Sequence, residues 1–282
     1  MEIMKTTFDI NRFMNLLKYE IFTESKGFAR GAIGLTVGLA FYFMANLYFE
    51  RGLLMETPLA FNNFYGNLAG VALFVGFALM MVAGCSIFKN LLSKQNRITF
   101  LSLPASNLEK YISRFIWVNV GYAIMFVIAV IFADLLLALF SLMLGLGVHG
   151  SVTITLFAEL FESKTTILYS RILNPGYFSV MVFTIMLFMQ SSWTLLGTFF
   201  RKNAWLWTLC IQVFLGTSWA MAISGSDSFL SQLWLSFHST LGHDLFFWTH
   251  IILGLAASAL MYWGSYRIFC RMQVINNKWL NV

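Results

Sequence analysis

Long apolar runs alternate with short polar connections along this chain. Six runs, near 31–49, 65–88, 115–140, 176–200, 204–224 and 245–269, could each cross about 30 Å of hydrocarbon, which takes roughly 20 helical residues. None shows the roughly ten-residue alternation of a barrel strand, and hydrocarbon offers the backbone no hydrogen-bond partner. The pattern predicts an all-α integral membrane protein with six transmembrane helices in a single transmembrane domain over 1–282. Ahead of the first run, Ile10, Phe13, Met14, Leu17 and Ile21 recur at helical spacing. Asn11, Arg12, Asn15, Lys18 and Glu24 take the other faces, and Asp9 is placed to cap. This predicts an N-terminal amphipathic interfacial helix within residues 1–30, lying in the headgroup plane or under the protein's own loops.

A second pattern interrupts the apolar sequence at LSLPASNLEKY, residues 101–111. Pro104 stops any preceding helix and pushes Leu103 out of the helical region. Ser106 and Glu109 have the spacing of a capping box. A short helix is expected to begin at Asn107 and run through Lys110 and Tyr111 towards the third span.

Composition agrees with the membrane class. Hydrophobic residues make up 59% of the chain and charged residues 11%, against about 25% charged in soluble domains. Basic residues give the orientation. Fifteen of the 18 lie in the first 30 residues, the connection after the second run, the turn after the fourth, or the C-terminal end. Only Arg51, Lys164 and Arg171 lie on the other side. The positive-inside rule then makes both termini and the 89–114 connection cytoplasmic, with 270–282 a cytoplasmic tail. The net charge of +6 reads as an orientation signal, and a nucleic-acid partner is not expected. Residues 1–30 contain no apolar core, so no cleaved signal peptide is expected. Cys85, Cys210 and Cys270 lie on spans without paired spacing, as buried thiols would.

Asp134 is the only acidic residue inside a predicted span, where a charge costs at least about 2.5 kcal/mol. Asn67, Thr184, Thr217, Ser218 and His250 fall at similar depths. Together these six could form a polar layer closing the outer end of a pathway. Asp134 could instead make a structural hydrogen bond, for instance to Thr184 or His250. The spacing of His238, His243, Asp244 and His250 does not suit a metal on one helical face. The segment 228–242 is too short and interrupted to span and is expected to lie at the outer interface or to re-enter. Gly34/Gly38, Gly66/Gly70 and Gly254/Ser258 have small-xxx-small spacing, expected to serve internal packing.

RITFLSLPASNLEKYISRF (97–115) and LLGTFFRKNAWLW (195–207) complete a familiar pattern. With the amphipathic start and six spans, the chain resembles the membrane subunits of ABC-2 type transporters. That resemblance implies a short cytoplasmic coupling helix between spans 2 and 3, contacting an ABC ATPase subunit through Leu103, Pro104, Ala105, Ser106, Asn107, Leu108, Glu109, Lys110 and Tyr111. It also implies a second permease subunit, homo- or heterodimeric, in the lipid bilayer of the bacterial inner (cytoplasmic) membrane. The chain lacks a phosphate-cradling G-x-x-x-x-G-K-[ST] loop, so ATP and Mg are expected on the partner ATPase. No cofactor is expected in this chain, and it is expected to be non-catalytic. Two other classes remain: an ion-coupled secondary transporter using Asp134, and an intramembrane enzyme, for which no paired acids or nucleophile motif stands out.

Overall fold

A computed structural model describes residues 8–56, 58–161, 175–200, 202–224 and 229–272. Among them are eight α-helices: α1 (Ile10–Glu56), α2 (Pro58–Cys85), α3 (Lys94–Ser102), α4 (Asn107–Met143), α5 (Val152–Phe161), α6 (Pro175–Phe199), α7 (Ala204–Ser224) and α8 (Phe229–Cys270). A 3-10 turn occupies Lys89–Leu92. Five stretches are long and apolar enough to cross a membrane: Ile10–Gly52, Ala60–Cys85, Asn107–Met143, Val180–Phe199 and Trp248–Cys270. The protein is an all-α integral membrane protein. The remaining expected span corresponds to α7, whose described apolar stretch is Ala204–Ser218.

All three prolines mark helix boundaries. Pro58 and Pro175 open α2 and α6, where the missing N–H has no partner to lose. Pro104 stands in the break between α3 and α4. Two expected boundaries that carry no proline are absent, and there the helices run on. The expected boundary near residue 31 does not exist, because α1 is continuous from its amphipathic start into the first span. Isolated glycines such as Gly27 and Gly31 each cost about 1 kcal/mol against alanine, too little to break a helix whose membrane part has no alternative hydrogen bonds. Likewise residues 229–242 are continuous with the last span in α8. The predicted N-terminal stripe also divides: Phe13 is buried and Leu17 half-buried, while Ile10, Met14 and Ile21 are exposed.

Packing gives two compact units, each discontinuous in sequence. One comprises Met14–Met80 and Ile116–Tyr169. Its core sets Leu39, Phe43 and Leu47 of α1 against Phe64, Leu68 and Ala72 of α2 and Ala129, Ala133 and Leu137 of α4. The buried alanines let the helices approach closely. Large apolar side chains such as Phe41, Phe74 and Met143 point outward, as expected where the solvent is lipid.

The other unit comprises Met1–Phe13, Met81–Phe115 and Ser170–Val282. There α6 meets α2 backbone to backbone: a Cβ added at Gly197 would lie 2.5 Å from the Cys85 Cα and carbonyl oxygen. Polar side chains also join its helices. Thr198 Oγ1 and Ser265 Oγ lie 2.7 Å apart, and Gln212 Nε2 donates to Ser192 Oγ at 2.6 Å. In hydrocarbon such bonds are worth about 0.6–2 kcal/mol each.

Two smaller expectations are corrected. Cys85 is buried, but Cys210 and Cys270 are exposed. Of the glycine motifs, Gly254 alone makes a close internal approach, towards Thr184, whereas Cβ atoms at Gly34, Gly38 and Gly70 would meet nothing.

Candidate functional site

The connection between α2 and α4 is built from short capped pieces. Ser93 Oγ accepts the N–H of Asn96 at 3.2 Å and caps α3. Leu103 ends that helix with ψ 137°, the extended backbone demanded by the following proline. At the start of α4, Glu109 N–H donates to Ser106 Oγ at 3.2 Å, and Ser106 N–H donates to Glu109 Oε2 at 2.8 Å. The capping box is therefore complete. It opens α4 directly, so the Asn107 start belongs to the long span helix, and the free-standing short helix is α3, one element earlier.

Three cations sit inside this junction. Arg114 Nε donates to the Ile87 carbonyl at 2.7 Å, just past the end of α2. Arg97 Nε donates to Leu91 O at 2.9 Å, at the end of the 3-10 turn. Lys110 Nζ donates to Leu101 O at 2.8 Å, in the last turn of α3. All three residues are at most 5% exposed. Terminal carbonyls lack partners within their own helix and carry the negative end of its dipole. Each cation thus ties down a carbonyl in, or just past, the end of a preceding element.

Glu109 is fully buried, at 0% exposure. Besides closing its cap, its Oε1 accepts Asp9 N–H at 2.7 Å and Arg12 Nη2 at 3.2 Å. Asp9 in turn caps α1 by accepting Asn11 N–H at 2.8 Å. One carboxylate therefore holds the beginnings of two helices whose sequences lie about a hundred residues apart. One turn on, Tyr111 is the centre of an aromatic cluster, 5.9 Å from Phe88, 5.5 Å from Tyr266 and 6.0 Å from Phe269 between ring centroids.

These contacts revise the predicted docking stretch. Glu109, Lys110 and Tyr111 face inward and have no surface for a partner. Leu103, Ala105 and Ser106 are half-buried, while Pro104, Asn107 and Leu108 are exposed. Ile98 on α3, which the sequence did not single out, is also an exposed apolar side chain at 44%, beside 41% for Leu108.

Three of the six residues expected in a polar layer, Asp134, Thr184 and Thr217, make hydrogen bonds close to their own helices. Asp134 accepts Ser151 Oγ at 2.6 Å and the N–H groups of Val152 and Thr153 at 3.0 and 3.1 Å. It holds the first turn of α5, where the helix dipole favours an anion. These partners lie at the start of α5, in place of the expected Thr184 or His250. Thr184 and Thr217 bond carbonyls of their own helices. Ser218 and His250 are exposed. Asn67 lines a cleft of about 620 Å³ with Tyr42, Asn46, Glu50, Phe74 and Glu159. Glu159 belongs to α5. The side chains of His238, His243 and Asp244 lie outside the described residues.

Among the described residues, no three His, Cys, Asp or Glu side chains gather as a metal site. No protein-family model matches the chain, and neither curated proteins nor solved structures provide a match.

Proposed function

We propose that this chain is the membrane subunit of an ATP-driven transporter of the ABC-2 type, an exporter driven by a separate ATPase. In this reading it crosses the bacterial inner membrane six times, α7 being the sixth crossing, with both termini and the 89–114 junction in the cytoplasm. Two permease subunits form the pathway. ATP and Mg bind the partner ATPase, and this chain performs no catalysis.

The observation that carries the reading is the junction itself. A compact segment of capped elements, three of its five cations turned inward, runs without a break into a span helix and presents Pro104, Asn107 and Leu108 outward. Such a segment can receive a push from a docked protein and pass it to the span, because buried bonds tie its short elements to the span helix. The absence of a phosphate-cradling loop from the sequence agrees with a separate motor. The ion-coupled alternative ranks second, since the carboxylate it needs at Asp134 already serves three donors at the start of α5.

The test is co-purification with a candidate ATPase encoded beside this chain. Leu108→Arg places a charge on the exposed face without touching a buried bond. It should insert normally but lose the ATPase. Wild-type co-purification and transport by Leu108→Arg and by Ile98→Arg would refute the docking role.

A further inference from the structure

A cavity of about 250 Å³ lies within one unit where the ends of two membrane helices, α2 at Cys85 and α6 at Phe199, meet the start of the apolar helix α7 at Ala204. Helices long enough to cross hydrocarbon end at its boundary with water, so the cavity is at headgroup depth. Val82, Phe88 and Phe200 give it apolar walls, and Lys89, Asn203 and Trp205 supply polar groups. Among the described residues, none that lines it is acidic. Lys89 is exposed, and among the described residues its ammonium has no carboxylate partner.

Asn203 turns the chain between α6 and α7 with φ 51°, a left-handed conformation that asparagine tolerates. Trp205, 55% exposed, follows directly at the rim. Tryptophan favours this depth because its ring is apolar and its N–H wet. The cavity is smaller than the roughly 300–1,000 Å³ pockets that enclose whole drug-sized ligands. A headgroup fits, while acyl chains would stay in the bilayer along the apolar walls.

We propose that this cavity binds the phosphodiester headgroup of an anionic phospholipid, with Lys89 pairing the phosphate and Trp205 packing at its edge. The inference rests on the membrane helices and does not depend on the transporter reading. A phosphate anion could also come from solution, so the test separates the two sources.

The full chain in neutral detergent is titrated with dihexanoyl-phosphatidylglycerol, dihexanoyl-phosphatidylcholine or inorganic phosphate, and binding is read from the thermal midpoint. The anionic lipid should stabilise at lower concentration than the zwitterionic one. Lys89→Gln should reduce that preference roughly fivefold, about 1 kcal/mol. Lys89→Arg should keep it, as should Lys94→Gln, whose side chain is exposed outside the cavity. Equal midpoints with the two lipids, or an undiminished preference in Lys89→Gln, would overturn the site. Inorganic phosphate reproducing the full shift would overturn the lipid as occupant. Should Lys89→Gln fold poorly, Trp205→Ala provides an independent variant and should also weaken the anionic lipid, and an unchanged response would count against the site.

Discussion

Arg12 and Glu109 meet at 3.2 Å, but the pair is unequal: the Glu109 side chain is wholly buried and that of Arg12 is 35% exposed. The carboxylate's backbone partners, Asp9 and Ser106, are shorter contacts than the guanidinium. We therefore expect Glu109→Ala to destabilise by about 1–3 kcal/mol, from donors left without an acceptor. Arg12→Ala should cost under about 1 kcal/mol, in the range of a solvated pair. Thermal unfolding of both single variants and the double variant measures the difference. Equal losses would show that the ion pair, rather than the backbone bonds, governs the junction.

The buried cations lead to a proteolysis experiment. Replacing Arg114 or Arg97 by Met keeps much of the side-chain volume but leaves the carbonyls of Ile87 or Leu91 without that donor. Each change should destabilise by about 1–3 kcal/mol and raise cleavage within 86–106. Lys94→Met, on an exposed side chain, is the control. Cleavage in the two arginine variants no faster than in this control would remove the anchoring role.

At Asp134 the two transport mechanisms diverge. Asn can still accept N–H bonds from α5, so Asp134→Asn should lose only the charge–dipole part, about 0.3–1 kcal/mol. Transport in proteoliposomes should survive. Stable protein with abolished transport would favour the ion-coupled mechanism instead. Asp134→Leu should unfold at lower temperature, because the first turn of α5 loses its acceptor.

Close packing can be tested at two glycines. A methyl at Gly197 would press on the Cys85 backbone, which cannot turn aside. Gly197→Ala should therefore cost about 1–3 kcal/mol, the usual penalty for overpacking. Gly34→Ala meets open space and should be neutral or stabilising in the monomer. The thermal midpoints of the two variants should move in different directions or by clearly different amounts.

Local chemistry was legible in the sequence where it acts over a few residues. Pro104 announced the break before α4, and the Ser106/Glu109 spacing announced its cap. Ser93 was an equally readable cap for α3, obscured by the polar sequence KQN that follows it. Long-range choices were not legible. Nothing near Glu109 shows that its second oxygen will accept from Asp9, about a hundred residues away. Asp134 looked exceptional because it lies in an apolar run, and its donors arrive from a helix that the run's own periodicity does not reveal. The failure at α1 has another cause. Amphipathic and membrane-spanning segments differ in which environment their faces meet, and that difference requires no break in the backbone.

The inward-facing cations bear on how such a chain is oriented during synthesis. Arg97, Lys110 and Arg114 are three of the five positive charges that the 89–114 connection offers to the positive-inside rule, and in the folded protein all three are buried. The same residues would thus act twice, first as free charges retaining the loop while neighbouring segments insert, then as fixed donors at successive helix ends. Charge-neutralising substitutions made to reverse the topology would remove the loop's internal supports at the same time. For this loop, an orientation experiment is also a folding experiment unless it is confined to Lys89 and Lys94.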